Sequence, residues 1–332
     1  MTTREATHAG SWYSADKSQL SEQLDEWLDA VPAQAKGIGA ESIKEAPLDI
    51  PSAGARAIIA PHAGYSYSGP AAAWAYKAVD WSKAKRVFLL GPSHHYYLNN
   101  CALSRCNSYK TPLGNLKLDQ DTIAELDKSG LFDRMTKSAD EEEHSLEMHL
   151  PYIYKMLSRA FSNPTDFPPL TPILVGSTSA SSEARFGKLL APYLADPTSI
   201  FVVSSDFCHW GTRFRYTYYL SSTGTPTSLR SGDKAPSSPA IHESIAAVDQ
   251  MCMDACETGS HSAFLNVLEE TGNTVCGRHP IGVVMAAVEI LDGEKEFKEG
   301  KGRFKFVRYE RSSLCNSVKD SSVSYCSAFA IL

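Results

Sequence analysis

Residues 56–69 read RAIIAPHAGYSYSG, and this stretch decides the fold. Its apolar residues 57–60 predict a short buried strand. Pro61 has no N–H to give a sheet ladder and ends it. His62 follows at once, so an imidazole stands at a strand's carboxyl end. Gly64 and Gly69 punctuate the turn, and Pro70 suits the first turn of a helix predicted over 71–79. The pattern then repeats: residues 86–90 (RVFLL) form a second buried strand, followed by Gly91, Pro92, Ser93, His94 and His95.

Strand, helix and strand within about forty residues make a βαβ unit with parallel strands and a right-handed crossover. Parallel strands point their carboxyl ends one way. His62 and His94 therefore leave the same edge of the sheet, on strands expected to be neighbours about 4.8 Å apart. Open α/β sheets bind ligands at that edge. Two imidazoles delivered there predict a metal site; the competing reading is that each ring only hydrogen-bonds within its own loop.

On the amino side, residues 8–13 (HAGSWY) are expected to pack over the pocket, and Asp16 to cap a helix with Leu20, Leu24, Trp27 and Leu28 on one face. Residues 33–54 carry no strong period and read as a surface loop. Downstream, the acidic run 140–143 reads as a solvated helix start. His144 and Glu147, three apart, share a helix face and could line a pocket, but their spacing is not HExxH. Residues 171–176 and 200–203 predict two more buried strands. The second ends in Ser204, Ser205, Asp206, Phe207, Cys208 and His209, another strand carrying ionisable groups out of its end. Residues 211–219 bring Arg and aromatic side chains that could cover a pocket or hold an anion. Residues 220–239, rich in Ser, Thr, Pro and Gly, read as a flexible loop. Helical spacing resumes from Ile241; Cys252 and Cys256 read as buried neighbours on its face. Cys276 lies just before a helix opened by Pro280, where the dipole favours a thiolate. Two late strands are expected over 304–309 and 323–331.

The 332 residues are enough for one large α/β domain or two ordinary ones, and 43% hydrophobic with 21% charged residues is the composition of a soluble globular protein. A formal net charge of -6 argues against nucleic acid as a partner, and the basic residues over 298–308 read as a solvated face. The amino terminus does not read as a secretory signal, and no apolar run reaches the roughly eighteen residues of a membrane span. The eight cysteines show no CxxC, so reduced thiols in the cytoplasm, with access to the nucleus, are expected.

His62, His94 and Cys276 are all transition-metal ligand types, and three protein ligands leave an open, reactive position. Asp206 could orient an imidazole and His209 could move protons. The same residues allow Cys276 as nucleophile, His209 as base and Asp206 as orienting group, although that leaves His62 and His94 unused. Zinc-assisted hydrolysis is a third chemistry compatible with the set.

The stretches HAGSWY, RAIIAPHAGYSYSG, LLGPSHH, EEHSLEMHLPY, FVVSSDFCHWG, FRYTYY, CGRHPIGV and DSSVSY span nearly the whole chain, and together they resemble the Memo family, the mediators of ErbB2-driven cell motility. The resemblance implies a single domain with a central mixed, largely parallel sheet flanked by helices, similar to class III extradiol (LigB-like) dioxygenases. It implies metal ligation by His62, His94 and Cys276, with Asp206 and His209 as further pocket residues. Iron(II) or copper is the implied metal, with zinc compatible. Where the dioxygenases carry Glu, this chain has Cys276, which speaks against catechol ring cleavage. The implied roles are redox activity, including reactive oxygen production, and control of motility, cytoskeleton and invasive growth. Animal members are linked to receptor phosphotyrosine peptides, so a peptide or signalling partner is a further expectation, as is a metal-handling role. Segments 33–54 and 220–239 look longer than in animal relatives, as in a fungal member.

Overall fold

Six-residue, mainly apolar runs are buried along their length at Ala55–Ala60 (β1), Leu170–Val175 and Ser199–Ser204. Runs apolar on both faces belong in the middle of a parallel sheet covered on each side. The computed structural model, which describes residues 2–293 and 301–332, places them there. In chain order the main sheet also takes in Arg86–Pro92 (β2), Cys101–Leu103 (β3), Phe132–Arg134 (β4), Leu170–Val175 (β5), Ser199–Ser204 (β6), His209–Trp210 (β7), Phe304–Arg311 (β8) and Ser322–Ile331 (β9). These nine strands lie in the order β7-β9-β1-β6-β2-β5-β3-β4, with β8 paired to β9. The four central strands, β1, β6, β2 and β5, are mutually parallel. β9 closes one side antiparallel to β1, and β3 the other antiparallel to β5. The result is one α/β domain with a mixed sheet flanked by helices.

One expectation is corrected here. β1 and β2 are not neighbours, because β6 lies between them. Sequence adjacency favours spatial adjacency, but β6 pairs with both, and its enclosed IFVV core suits the most central position. The register still sets the strand ends level: Ala60 is opposite Ser204, and Val203 is opposite Leu90. His62, Asp206 and His94 therefore leave one edge in a row.

The first crossover helix runs Tyr65–Lys77, starting earlier than 71 and keeping Pro70 inside. Gly64 O accepts from Tyr67 and Ser68 N–H and closes the first turn. Pro70 deprives the Ser66 carbonyl of a donor, but both residues are exposed, so water can serve it. Ala180–Ala195 likewise retains Pro192 in its last turn. Asp16 caps Lys17–Ala30 as expected, accepting from Gln19 N–H at 2.8 Å, and Leu20, Leu24 and Leu28 are buried.

Neither long loop is featureless. In 33–54, Gln34–Ala35 pairs with Leu48–Asp49, and the buried Glu257 carboxylate grips Ser42 through its N–H and hydroxyl at 3.0 and 2.6 Å. In 220–239, Tyr218–Leu220 pairs with Pro226–Ser228 as a hairpin. Of the basic stretch 298–308, residues 298–300 lie outside the described residues; Lys305 and Arg308 pair with Glu45 and Glu310. All eight cysteines are free thiols, and Cys252 and Cys256 are buried on Ile241–Glu257. No described helix is long and apolar enough to cross a membrane.

Candidate metal centre

Three strand ends and two loops converge on a cavity of about 590 Å³ lined by His62, His94, His144, Asp206 and His209 among others. His62, just past β1, is fixed through its main chain: its N–H donates to Asp206 Oδ1 at 2.8 Å, and Ala63 N–H reaches the same oxygen at 3.3 Å. Its Nδ1 meets Ser204 Oγ at 2.6 Å, and its Nε2 meets Cys276 Sγ at 3.2 Å. His94, just past β2, donates its backbone N–H to Glu143 Oε2 at 2.6 Å, and its Nδ1 lies 2.9 Å from Glu143 Oε1. The His62 and His94 rings are edge to face at 5.2 Å. His144 stacks on His94 at 4.4 Å between centroids, 15° from parallel. One ring nitrogen from each of His62, His94 and His144 lies within 4.8 Å of the other two.

Cys276 is partly buried behind His62, immediately before the Arg278–Gly293 helix. Its Sγ accepts from Asp206 N–H at 3.2 Å. The predicted thiolate is not favoured by this surrounding alone: burial, then the Asp206 charge, pushes the thiol pKa well above its ordinary value. One helix dipole is too small to outweigh both. Burial also raises the Asp206 carboxyl. His62 is pushed well below 6.5 by burial and then by His94, and His144 to about 3 by the same two causes.

Asp206 and His209 hold different posts from those the nucleophile reading needs. Among the described residues, no hydrogen bond joins Cys276 to His209 or His209 to Asp206. His209 Nδ1 faces two carbonyls, Phe207 O at 2.9 Å and Thr274 O at 3.2 Å, so it must donate. That leaves Nε2 as the acceptor on a pocket-lining ring. Trp12 from HAGSWY covers His144, with centroids 4.5 Å apart, and Arg213 and Phe214 line the same cavity.

The donor set fits a transition metal. Imidazole nitrogens and a thiol suit iron, copper and zinc. His144 Nδ1 is buried without a hydrogen-bond partner, 3.6 Å from Glu143 Oε1, which is an open valence in a built site. A cation would also reverse the pKa trend at Cys276, since its charge stabilises a thiolate.

Sequence reading missed the depth of the acidic run. Asp140 and Glu143 are buried rather than solvated, as is Glu147. Their countercharge is Arg4, fully enclosed, which donates to Asp140 Oδ1 at 3.2 Å and Glu147 Oε2 at 2.7 Å. A lone arginine near the amino terminus carries no periodic signal. His144 was visible as a pocket candidate but not as a member of the imidazole trio.

The Memo-like protein family profile matches residues 4–329. The chain belongs to the Memo family. Protein MEMO1 of Xenopus laevis is 48% identical over 323 residues, covering 97% of this chain and 95% of that one. Protein MEMO1 of Homo sapiens is 47% identical with the same coverage. The Protein memo-1 homolog of Caenorhabditis elegans is 40% identical over 98% of this chain and 81% of its own. In this Memo chain every quoted family stretch falls inside the matched span; RAIIAPHAGYSYSG, LLGPSHH, EEHSLEMHLPY and FVVSSDFCHWG supply His62, His94, His144, Asp206 and His209 at the cavity, and CGRHPIGV supplies Cys276 beside His62.

Proposed function

We propose that this Memo-family protein binds a redox-active metal, iron(II) or copper, through His62, His94 and Cys276, and acts as a metal-dependent oxidoreductase on a small molecule admitted to the cavity. The observation that carries this reading is the meeting of the His62 and His94 rings at one cavity, each offering a nitrogen within 4.8 Å of the other, with Cys276 Sγ 3.2 Å from His62 Nε2 though outside the group that His144 completes. The metal, when bound, supplies one-electron chemistry that no side chain offers. The chain's own residues do the rest. Asp206 holds the His62 main chain, His209 Nε2 accepts or returns a proton, and Trp12 with Phe214 limits water at the mouth. A cytoplasmic setting and a role in motility and cytoskeletal signalling are part of the proposal.

The trio supports a second ligand set in which His144 replaces Cys276. Metal content after anaerobic purification separates them. His62→Ala should lose the metal in either case. Cys276→Ser should lose it only under the first set, and His144→Ala only under the second. Oxygen consumption that disappears with the metal supports the enzyme. Metal without turnover points to iron or copper handling, and peptide binding that persists without metal points to a docking role. Retention of metal by His62→Ala overturns the proposal.

A further inference from the structure

We infer that Glu143 is the positioning residue of the centre: its carboxylate holds His94 in the Nδ1–H tautomer, so that a bare Nε2 is left for the cavity. The inference rests on the metal reading for its consequence but not for its geometry.

The argument is a count of donors and acceptors. The Glu143 carboxylate receives His94 N–H at 2.6 Å and Ser145 N–H at 2.9 Å, and it lies 2.9 Å from His94 Nδ1. An ionised carboxylate only accepts, so the ring nitrogen beside it must carry the proton. Its side chain is 1% exposed, leaving no water to take over either role. Its main chain is held as well. Arg4 Nη2 donates to the Glu143 carbonyl at 2.8 Å, and Arg4 Nε donates to the Asp140 carbonyl at 2.9 Å. Arg4 itself is anchored on Glu147.

The same short segment sets His62 by a different device. Ser204 has one hydroxyl proton and donates it to Ser145 O at 2.8 Å. Its oxygen can then only accept from His62 Nδ1, 2.6 Å away. Ser145 Oγ also donates to Pro92 O at 2.7 Å, tying the segment to the end of β2. Residues 143–145 thus hold both imidazoles, from two separate strand ends, with Nδ1 protonated and Nε2 bare. Neutral imidazole ligates through a lone pair, so this tautomer is the competent one.

Replacing Glu143 by Gln changes the count. The amide has one acceptor oxygen and two N–H donors, against three donors to satisfy. The relaxed arrangement gives an amide N–H to His94 Nδ1 and moves the ring proton to Nε2. Nitrogen-15 spectra of metal-free protein at about pH 8, above the ordinary histidine range, should show His94 protonated at Nδ1 in the wild type and at Nε2 in Glu143→Gln. Anaerobic iron(II) titration against a chromogenic chelator should show binding weakened by about 10–100-fold in Glu143→Gln, with Glu143→Asp restoring the wild-type tautomer and part of the affinity. A wild-type His94 protonated at Nε2 overturns the inference, as does a folded Glu143→Gln with unchanged tautomer. If Glu143→Gln fails to fold, the wild-type and Glu143→Asp spectra decide. If the wild type binds no iron(II) or copper, the metal reading fails, and the wild-type spectrum still decides the tautomer.

Discussion

His149 and Glu147 illustrate how single buried groups bind this protein's stability to pH. His149 is enclosed, with Nδ1 2.7 Å from Tyr76 Oη and no partner for Nε2, and burial lowers its pKa to about 3. The unfolded chain takes up that proton near 6.5, so stability is lost as pH falls from about 6.5 towards about 3. Glu147 behaves alike in a lower window. Burial opposes its charge, but the His8 hydrogen bond and then Arg4 bring its pKa down to about 2 from 4.5. Its contribution is present above 4.5 and is lost between 4.5 and about 2. In both cases the unfolded state binds more protons, so stability rises with pH. Each group adds a slope of about 1.4 kcal/mol per pH unit within its window. Urea denaturation followed downwards from neutral pH should show the decline beginning below about 6.5, from His149 together with His62 and His144, and steepening below about 4.5. A flat stability from neutral pH to 4.5 contradicts the burial argument for all three histidines.

Among the elements, the approach of the Arg278–Gly293 helix to β6 depends on Gly277. A Cβ there would stand 2.3 Å from Ser204 O and 2.3 Å from Ser205 Cβ. Backbone cannot yield as a side chain tip can. Gly277→Ala should therefore push the helix start, and Cys276 with it, away from His62, at a cost of about 1–3 kcal/mol from overpacking. Denaturant midpoints measure the first effect. Faster reaction of a thiol reagent at Cys276 in Gly277→Ala than in the wild type, the other seven cysteines being buried, measures the second. The elements also mark how far periodicity carries. The buried strands were legible because an unbroken apolar run has few other places to go. Helix starts were less so: Tyr65 begins a helix because Gly64 O accepts from the next turn, a contact that composition alone does not announce.

Across the whole molecule, Arg4, in the short amino-terminal strand Thr3–Arg4, joins that end of the chain to the segment that carries Glu143 and His144. It pairs with Asp140 and Glu147, all three side chains being at most 1% exposed. Removing it leaves the buried Asp140 without a countercharge and the buried Glu147 with His8 alone. Arg4→Ala should cost about 3–5 kcal/mol in urea denaturation and loosen the His144 stack. A smaller change, near that of a surface salt bridge at about 0–1 kcal/mol, would show that water reaches the site and that the network does not hold the pocket.

The sequence by itself determined the α/β class, the strands whose ends bear His62, His94 and Asp206, the place of Cys276 before a helix, and the family. Those features are local: apolar runs, proline and glycine punctuation, and motifs read in a line. Tertiary structure alone decided that β6 separates β1 from β2, that His144 joins the imidazoles, and that Asp140 and Glu143 of the acidic run are buried beside Arg4. Each of these depends on which distant segments share a register or a low-dielectric interior. Charge placement in such an interior follows from the partner that arrives by folding, 136 positions away for Arg4 and Asp140, and no window along the chain contains both.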